Sequence, residues 1–329
     1  MKTALIAALI LSATIAKAEN LIKIDGSSTV FPVTEAVSEE FQTVTKGATK
    51  VTVGVSGTGG GFKKFCRAET DVQNASRPIT KEEMAVCRTS KVNYFELPIA
   101  FDAIAIVVNP KNNWVNEITA EELKKMWEPA AQGKVMTWKQ VNAKWPEEKL
   151  TLYGASTDNG TFDYFTEAIV EKAKSSRGDY TASVDHNTRV TGVNSSKGAL
   201  GYIPYAYYIT NKDKLKLLAV VGGAKAPSKK AVLPNEKTVI GGSYFPLSRP
   251  IFIYVNQDSM KKPEVKQYVE FYLDKAAEMA KQVQYIPLPA KAYQTAKEHL
   301  TKKRTGTVFG GEAQVGMTID QIMKKEATF

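Results

Sequence analysis

Hydroxyl-bearing and glycine residues cluster at four points of the chain, three of them directly before a predicted helix and the fourth a few residues ahead of one. The clusters are Ser27-Ser28-Thr29, Ser56-Gly57-Thr58-Gly59, Ser76-Arg77 and Thr157-Asp158-Asn159-Gly160-Thr161. A helix start presents unpaired backbone N–H groups and the positive end of the helix dipole, which together attract anions. Hydroxyls add hydrogen-bond donors without charge, and glycines let the backbone approach a ligand closely. The four clusters therefore predict an oxyanion site.

A structural explanation competes with this one, because a single Ser or Thr before a helix is usually only an N-cap worth about 1 kcal/mol. Three consecutive hydroxyls and a glycine-dense loop exceed what a cap requires. Arg77 adds a planar guanidinium suited to phosphate or carboxylate. The combination favours an anion site over four separate caps.

Catalysis and metal binding find little support in the residue types. A serine nucleophile needs a histidine partner, but His186 and His299 stand in no recognisable motif. The segment "GTGGGFKK" lacks the glycine-lysine-hydroxyl ending of a phosphate-binding Walker loop. Two cysteines and two histidines without ligand spacing do not indicate a metal site. We expect no enzyme activity, no cofactor and no metal.

The elements that position these clusters alternate between strand-like and helix-like segments, which predicts an α/β fold. The predicted strands are 21–25, 50–55, 70–76, 94–97, 103–108, 151–154, 198–205 and 251–256. The predicted helices are 32–44, 57–66, 158–173 and 265–283, with two more opening at the capping patterns of Thr80 and Thr119. The stretch 222–243 is predicted to form loops.

Two apolar strands that end in Asn, at 103–109 and 251–256, bracket about 140 residues. We interpret them as crossings between two lobes with a ligand cleft between them, since about 310 residues exceed what one core usually holds. Lobe one would comprise 19–105 and 251–329, and lobe two 106–250.

The first eighteen residues have the pattern of a secretory signal peptide. Lys2 gives a positive start, an apolar stretch follows, and Ala16-Lys17-Ala18 is an A-x-A cleavage signal, so cleavage is predicted after Ala18. An N-terminal core helix is the alternative. In an oxidising compartment Cys66 and Cys87 would form a disulfide that stabilises the fold by roughly 3 kcal/mol.

The net charge of the chain is +10. Removing Lys2 and Lys17 with the signal peptide lowers it to +8, because 10 − 2 = 8. This excess fits an anionic partner. The basic residues are scattered and carry no aromatic interleaving, so we do not expect nucleic acid binding.

Five ordered motifs resemble a known family: "IDGSSTVFPVTEAVSEEF", "VSGTGGGFKKFC", "DVQNASRPITKEE", "YGASTDNGTFDYFTEAI" and "YFPLSRPIFIYV". They are similar to the periplasmic phosphate-binding proteins of Pst-type ABC transporters, in the branch with an ASRPI segment and a cysteine pair. The resemblance runs from about residue 21 to the C-terminal region. It implies a two-lobed type II periplasmic-binding fold, with a hinge that closes on one desolvated phosphate.

The resemblance also implies a set of ligand-binding residues, all of them in the four clusters. They are Ser28, Thr29, Ser56, Thr58, Gly59, Ser76, Arg77, Asn159, Gly160 and Thr161.

The chain departs from the family pattern at two positions. Many relatives have an aspartate where Arg77 stands and an arginine near the position of Ala155. A buried carboxylate that accepts the proton of phosphate would exclude sulfate, so Asp158 becomes the candidate acceptor. Its alternative role is pairing with Arg77 or capping its own helix.

The resemblance implies a periplasmic monomer that binds inorganic phosphate with high affinity and delivers it to an inner-membrane ABC permease complex. Three alternatives stay open at this point: a binder of another tetrahedral oxyanion such as sulfate, an exported phosphoester hydrolase, and a secreted phosphate scavenger without a permease partner.

Overall fold

A computed structural model describes residues 20–312 and 318–328 of the chain. The predicted signal peptide, 1–18, lies outside the described residues. The strands are β1 (Asn20–Gly26), β2 (Thr49–Val53), β3 (Val72–Ala75), β4 (Tyr94–Val108), β5 (Glu117–Thr119), β6 (Thr151–Ala155), β7 (Thr181–Ser183), β8 (Ala199–Pro204), β9 (Lys216–Leu217), β10 (Ala219–Val221), β11 (Ser248–Asn256) and β12 (Ile286–Pro287).

The α-helices alternate with these strands over most of the chain. They are α1 (Phe31–Val44), α2 (Gly57–Phe65), α3 (Lys81–Thr89), α4 (Ala120–Trp127), α5 (Trp138–Val141), α6 (Gly160–Phe165), α7 (His186–Ser195), α8 (Tyr205–Ile209), α9 (Glu236–Ile240), α10 (Pro263–Gln282), α11 (Ala290–Thr301) and α12 (Ile319–Thr328). A π-helix over Thr166–Val170 continues α6, and Pro129–Ala131 and Ser259–Lys261 form single 3₁₀ turns. No helix within the described ranges combines the length and the apolarity needed to cross a membrane.

Two sheets share strand β4. The first sheet has the order β2-β1-β3-β11-β4, in which β1, β2 and β3 run parallel and β11 runs antiparallel to both β3 and β4. The second sheet continues from the other end of β4 in the order β8-β6-β7, with β6 parallel to both neighbours. β4 changes its main partner between Ala103, opposite β11, and Ile104, opposite β8.

Strands β4 and β11 form the centre of the molecule, and every residue of both is buried. Sequence patterning predicted two separate strands where β4 is one strand of 15 residues. That prediction was wrong because the residues between the two predicted strands stay in the ladder, where Asp102 lies opposite Arg249 of β11. The lobe boundaries at 105/106 and 250/251 remain predictions.

Capping patterns located two helix starts correctly. Thr80 and Thr119 each accept a hydrogen bond from the backbone N–H three residues later, and the glutamate there bonds back to the cap, which completes a capping box. The stretch 222–243 was predicted to form loops only, but it contains the short helix α9, which Asn235 caps. Cys66, at the end of α2, and Cys87, in α3, form the predicted disulfide.

Candidate functional site

The loop after β1 carries Ser27, Ser28 and Thr29, all three of which are buried. Ser27 Oγ accepts a hydrogen bond of 3.2 Å from the backbone N–H of Thr29, so its side chain stabilises the turn. Ser28 and Thr29 direct their hydroxyls elsewhere, toward the second sheet. The triplet is thus divided between one structural residue and two that face the cleft.

The facing element is α6, which follows strand β6 of the second sheet. Asn159 is its N-cap, and its Oδ1 accepts a 2.8 Å hydrogen bond from the backbone N–H of Thr161. The amide nitrogen of the same side chain donates to Ser28 Oγ at 3.1 Å. The Thr29 and Thr161 hydroxyls lie 3.0 Å apart. The first and fourth clusters of the sequence therefore meet, one from each sheet.

Arg249 of β11 lies at this meeting point. Its Nη2 donates to Thr161 Oγ1 at 2.8 Å and to Thr29 Oγ1 at 3.4 Å, and its Nη1 donates to the backbone oxygen of Gly160 at 2.9 Å. The side chain is 1% exposed. A guanidinium with donors directed at two hydroxyls is suited to hold an oxyanion between them.

Asp102 of β4 balances this charge. Its Oδ2 accepts from Arg249 Nε at 3.2 Å and from Nη2 at 3.1 Å. Its Oδ1 has no hydrogen-bond partner within the described residues. Burial raises the pKa of Asp102 to about 6, although Arg249 favours the ionised form. A buried carboxylate oxygen with free lone pairs is an acceptor for a proton-bearing ligand.

The second and third clusters also meet α6. Thr58 Oγ1 and Ser76 Oγ lie 3.2 Å apart, and Thr58 Oγ1 accepts from the backbone N–H of Ser76 at 3.2 Å. Both hydroxyls pack so closely against Gly160 that a side-chain carbon there would lie 2.5 Å from Ser76 Oγ. We call the set Ser28, Thr29, Thr58, Ser76, Asn159, Gly160, Thr161, Asp102 and Arg249 the interlobe cluster.

Four of the predicted site residues do not join the interlobe cluster: Ser56, Gly59, Asp158 and Arg77. Ser56 is half-buried and hydrogen-bonds through its hydroxyl and its backbone N–H to Asp25. Gly59 lies in α2 beside Arg77. Asp158, the candidate proton acceptor, is exposed, and its backbone oxygen lies against Gly57. Asp102 occupies the buried position that was expected of Asp158.

Arg77 is buried, but its donors already have acceptors. Its Nε donates to Asp163 at 2.8 Å, its Nη1 and Nη2 donate to the two carboxylate oxygens of Glu83 at 2.8 Å each, and Nη1 also reaches Pro78 O at 3.1 Å. These bonds go to two carboxylates and one backbone oxygen, and none of them reaches a hydroxyl of the interlobe cluster. Arg77 thus joins α3 to α6, and the guanidinium that contacts Thr29 and Thr161 is that of Arg249.

The sequence contains a signal for the missed residues. Asp102 and Arg249 are opposite charges inside two long and mostly apolar strands, a costly placement unless they pair. In α7, His186 and Arg189 share the buried face with Val190 and Val193. Within the described residues no group of acidic, His or Cys side chains could hold a metal ion.

Comparison with known proteins supports the family resemblance that the sequence motifs indicate. The model of the PBP superfamily domain matches residues 12–276. Protein SphX of Synechococcus elongatus is 50% identical over 93% of this chain and 89% of its own length. The chain belongs to the PBP superfamily, in the family of PstS and SphX.

Two further relatives support the family and its fold. The phosphate-binding protein PstS of Staphylococcus saprophyticus is 40% identical over 84% of this chain and 83% of its own length. The crystal structure titled as a possible phosphate binding protein from Planctomyces limnophilus has a TM-score of 0.66 and 44% identity, covering 87% of this chain and 99% of that one. The predicted resemblance and the type II periplasmic-binding fold are confirmed.

Proposed function

We propose that this protein binds inorganic phosphate in the interlobe cluster and delivers it to an inner-membrane ABC permease complex. The observation that carries the proposal is the convergence of Thr29, Thr161 and Arg249, within 2.8 to 3.4 Å of one another, from elements of both sheets. Membership of the PstS and SphX family supports the choice of phosphate among oxyanions.

The proposed ligand set combines side-chain hydroxyls, one side-chain amide, the backbone of one glycine and one guanidinium. It comprises Ser28, Thr29, Thr58, Ser76, Asn159, Gly160, Thr161 and Arg249. Hydroxyl and amide donors orient themselves to the ligand, while Arg249 supplies charge. Closing the loops of the two sheets around the anion removes it from water, which strengthens each of these contacts.

Asp102 is the proposed origin of selectivity. Phosphate at neutral pH retains a proton that it can donate to the free Oδ1 of Asp102, while sulfate has none and would face the carboxylate lone pairs. A site built around a required hydrogen bond discriminates by about 10⁴-fold or more against a ligand that lacks it.

We also propose export to the periplasm with cleavage after Ala18, and a monomer that meets the permease in its closed form. The signal pattern of residues 1–18 and the family support this part. Fractionating cells that express the full chain, followed by mass determination of the N-terminus, tests it. A product retained in the cytoplasm with its first eighteen residues would contradict it.

The binding proposal is tested by calorimetric titration of the mature protein, stripped of ligand by unfolding and refolding, with phosphate and then sulfate. We expect tight phosphate binding and no sulfate signal. Tight sulfate binding would favour the sulfate-type alternative, and turnover of a chromogenic phosphoester would favour the hydrolase.

Asp102→Asn separates selectivity from affinity. The amide cannot accept the phosphate proton as the carboxylate does, and its N–H₂ group can donate to sulfate. A charge-assisted hydrogen bond contributes about 1.5–3 kcal/mol, so we expect phosphate affinity to fall roughly 10- to 150-fold and sulfate binding to become measurable. If the ratio of phosphate affinity to sulfate affinity is unchanged in this variant, Asp102 is not the origin of selectivity.

A further inference from the structure

Three buried arginines lie near the interlobe cluster, and they differ in how their charge is balanced. Arg77 pairs with Glu83 and Asp163, and Arg249 pairs with Asp102. The third, Arg189 of α7, is fully buried and has no carboxylate within ion-pair distance among the described residues.

The contacts of Arg189 are with neutral groups. Its Nη1 donates to the backbone oxygen of Tyr202 at 3.0 Å, and its Nη2 contacts His186 Nδ1. Its Nε has no hydrogen-bond partner in the part of the chain that the structure describes. Burial and the neighbouring Arg189 charge hold the pKa of His186 well below its usual range, so the imidazole is neutral and offers no compensating charge.

Arg189 lies beside the interlobe cluster rather than in a separate core. Tyr202, whose backbone oxygen Arg189 bonds, lies in β8 opposite Ile106 of β4, the strand that carries Asp102. The positive charge of Arg189 acts to lower the pKa of Asp102. The positive charge of Arg249 in turn disfavours the charged form of Arg189. Arg189, Arg249 and Asp102 therefore share one buried electrostatic neighbourhood.

A buried charge without a partner is costly for the fold. Burial lowers the pKa of Arg189 to about 10, the direction expected when the charged form loses water and gains no anion. Leu, Met or Gln would fill the same place on α7 without that cost.

We propose that Arg189 supplies the unbalanced positive charge that holds a dianionic oxyanion in the interlobe cluster. The inference rests on the proposed function and adds a residue to it. Since Arg249 and Asp102 cancel, Arg189 leaves this neighbourhood with one net positive charge to oppose the ligand.

The proposal predicts opposite effects on binding and on stability. Replacing Arg189 by Met removes a charge that would attract the ligand. The same charge destabilises the ligand-free fold, so its removal should stabilise that fold. We expect Arg189→Met to bind phosphate at least tenfold more weakly, while the thermal midpoint of the phosphate-stripped protein rises. A residue with only a structural role would lower the midpoint.

The test measures phosphate affinity by calorimetry and the thermal midpoint without phosphate for wild type, Arg189→Met, Arg189→Gln and Arg189→Lys. Arg189→Lys keeps the charge and should retain more affinity than either neutral variant. Arg177→Met is the matched control, since Arg177 is buried but paired with Asp179 outside the cluster. It should lower the midpoint and leave phosphate affinity within twofold of wild type.

Two results would overturn the inference while leaving the proposed function intact: neutral variants that bind phosphate as wild type does, or an Arg189→Lys protein as weak as Arg189→Met. A wild-type protein that binds no phosphate would refute the proposed function and this inference with it. Because wild type is titrated first, the two failures are distinguishable.

Discussion

Gly160 offers a sharp test of the proposal that the two sheets close on the ligand. It is the first residue of α6, and a methyl group there would lie 2.5 Å from Ser76 Oγ and closer still to Thr58 Oγ1. A side-chain β-carbon essentially never lies within 3.0 Å of a non-bonded heavy atom, so the loops must separate or the hydroxyls must turn away. Gly160→Ala therefore disturbs the interlobe cluster directly.

The magnitude follows from the cost of overpacking, which is typically 1–3 kcal/mol. The clash exists only where α6 meets Thr58 and Ser76, so its cost falls on the closed form. Phosphate affinity should then fall about 5- to 150-fold. The helical backbone of Gly160 suits alanine, which favours helices over glycine by up to about 1 kcal/mol. The stability of the ligand-free protein should not decrease.

The assay is calorimetric titration with phosphate, together with urea unfolding of the stripped protein. Gly59→Ala is the matched control, because a methyl group at Gly59 would find its nearest atom, Arg77 Nη2, at an ordinary 3.8 Å. We expect wild-type affinity from the control. Gly160→Ala with unchanged affinity, or with a loss that its control shares, would refute the reasoning about closure.

Three further predictions concern stability. Arg77→Ala leaves two buried carboxylates without their cation and should lower the free energy of unfolding by about 3–5 kcal/mol in urea; a loss below 1 kcal/mol would contradict the pairing. Replacing both Cys66 and Cys87 by Ser removes a disulfide that joins residues 21 positions apart, and it should lower the free energy of unfolding by about 3 kcal/mol. Reducing the disulfide of the wild-type protein should lower the free energy of unfolding by the same amount. Burial raises the pKa of Glu96 to about 7, so between pH 4.5 and 7 the folded protein holds a proton that the unfolded chain releases. The free energy of unfolding should therefore fall by up to about 3 kcal/mol as pH rises from 4.5 to 7, and Glu96→Gln should lose that part of the pH dependence.

Local signals in the sequence were sufficient for about half of the elements and for the polar loops. Capping boxes at Thr80 and Thr119 act through side chains three residues apart, so they are readable without knowledge of the fold. The strand-to-helix loops that carry Ser28, Thr58 and Asn159 were predicted for the same reason. Parallel strands bring such loops to one edge of a sheet, which is why they could be expected to share a ligand.

The charged part of the site could not be read locally, because its partners are far apart in sequence. Asp102 and Arg249 are separated by 147 residues and become neighbours only through the register of β4 and β11. Arg77 had the right chemistry for an anion, but Glu83 and Asp163 satisfy it. Whether a guanidinium is free to bind a ligand depends on its counter-charges, and those are a property of the fold.

The division of the site between loops and strands has a consequence for how it binds. Asp102 and Arg249 face each other in a continuous ladder of buried strands, so their separation stays the same whether the loops are together or apart. Thr29 and Thr161 belong to elements of different sheets and come within 3.0 Å only when these meet. In the proposed mechanism the charges are therefore in place before the ligand arrives, and the hydroxyls close around the ligand afterwards. Substitutions at the hydroxyls should then act mainly on the rate of phosphate release, whereas substitutions at the charges should change which anion is held at all.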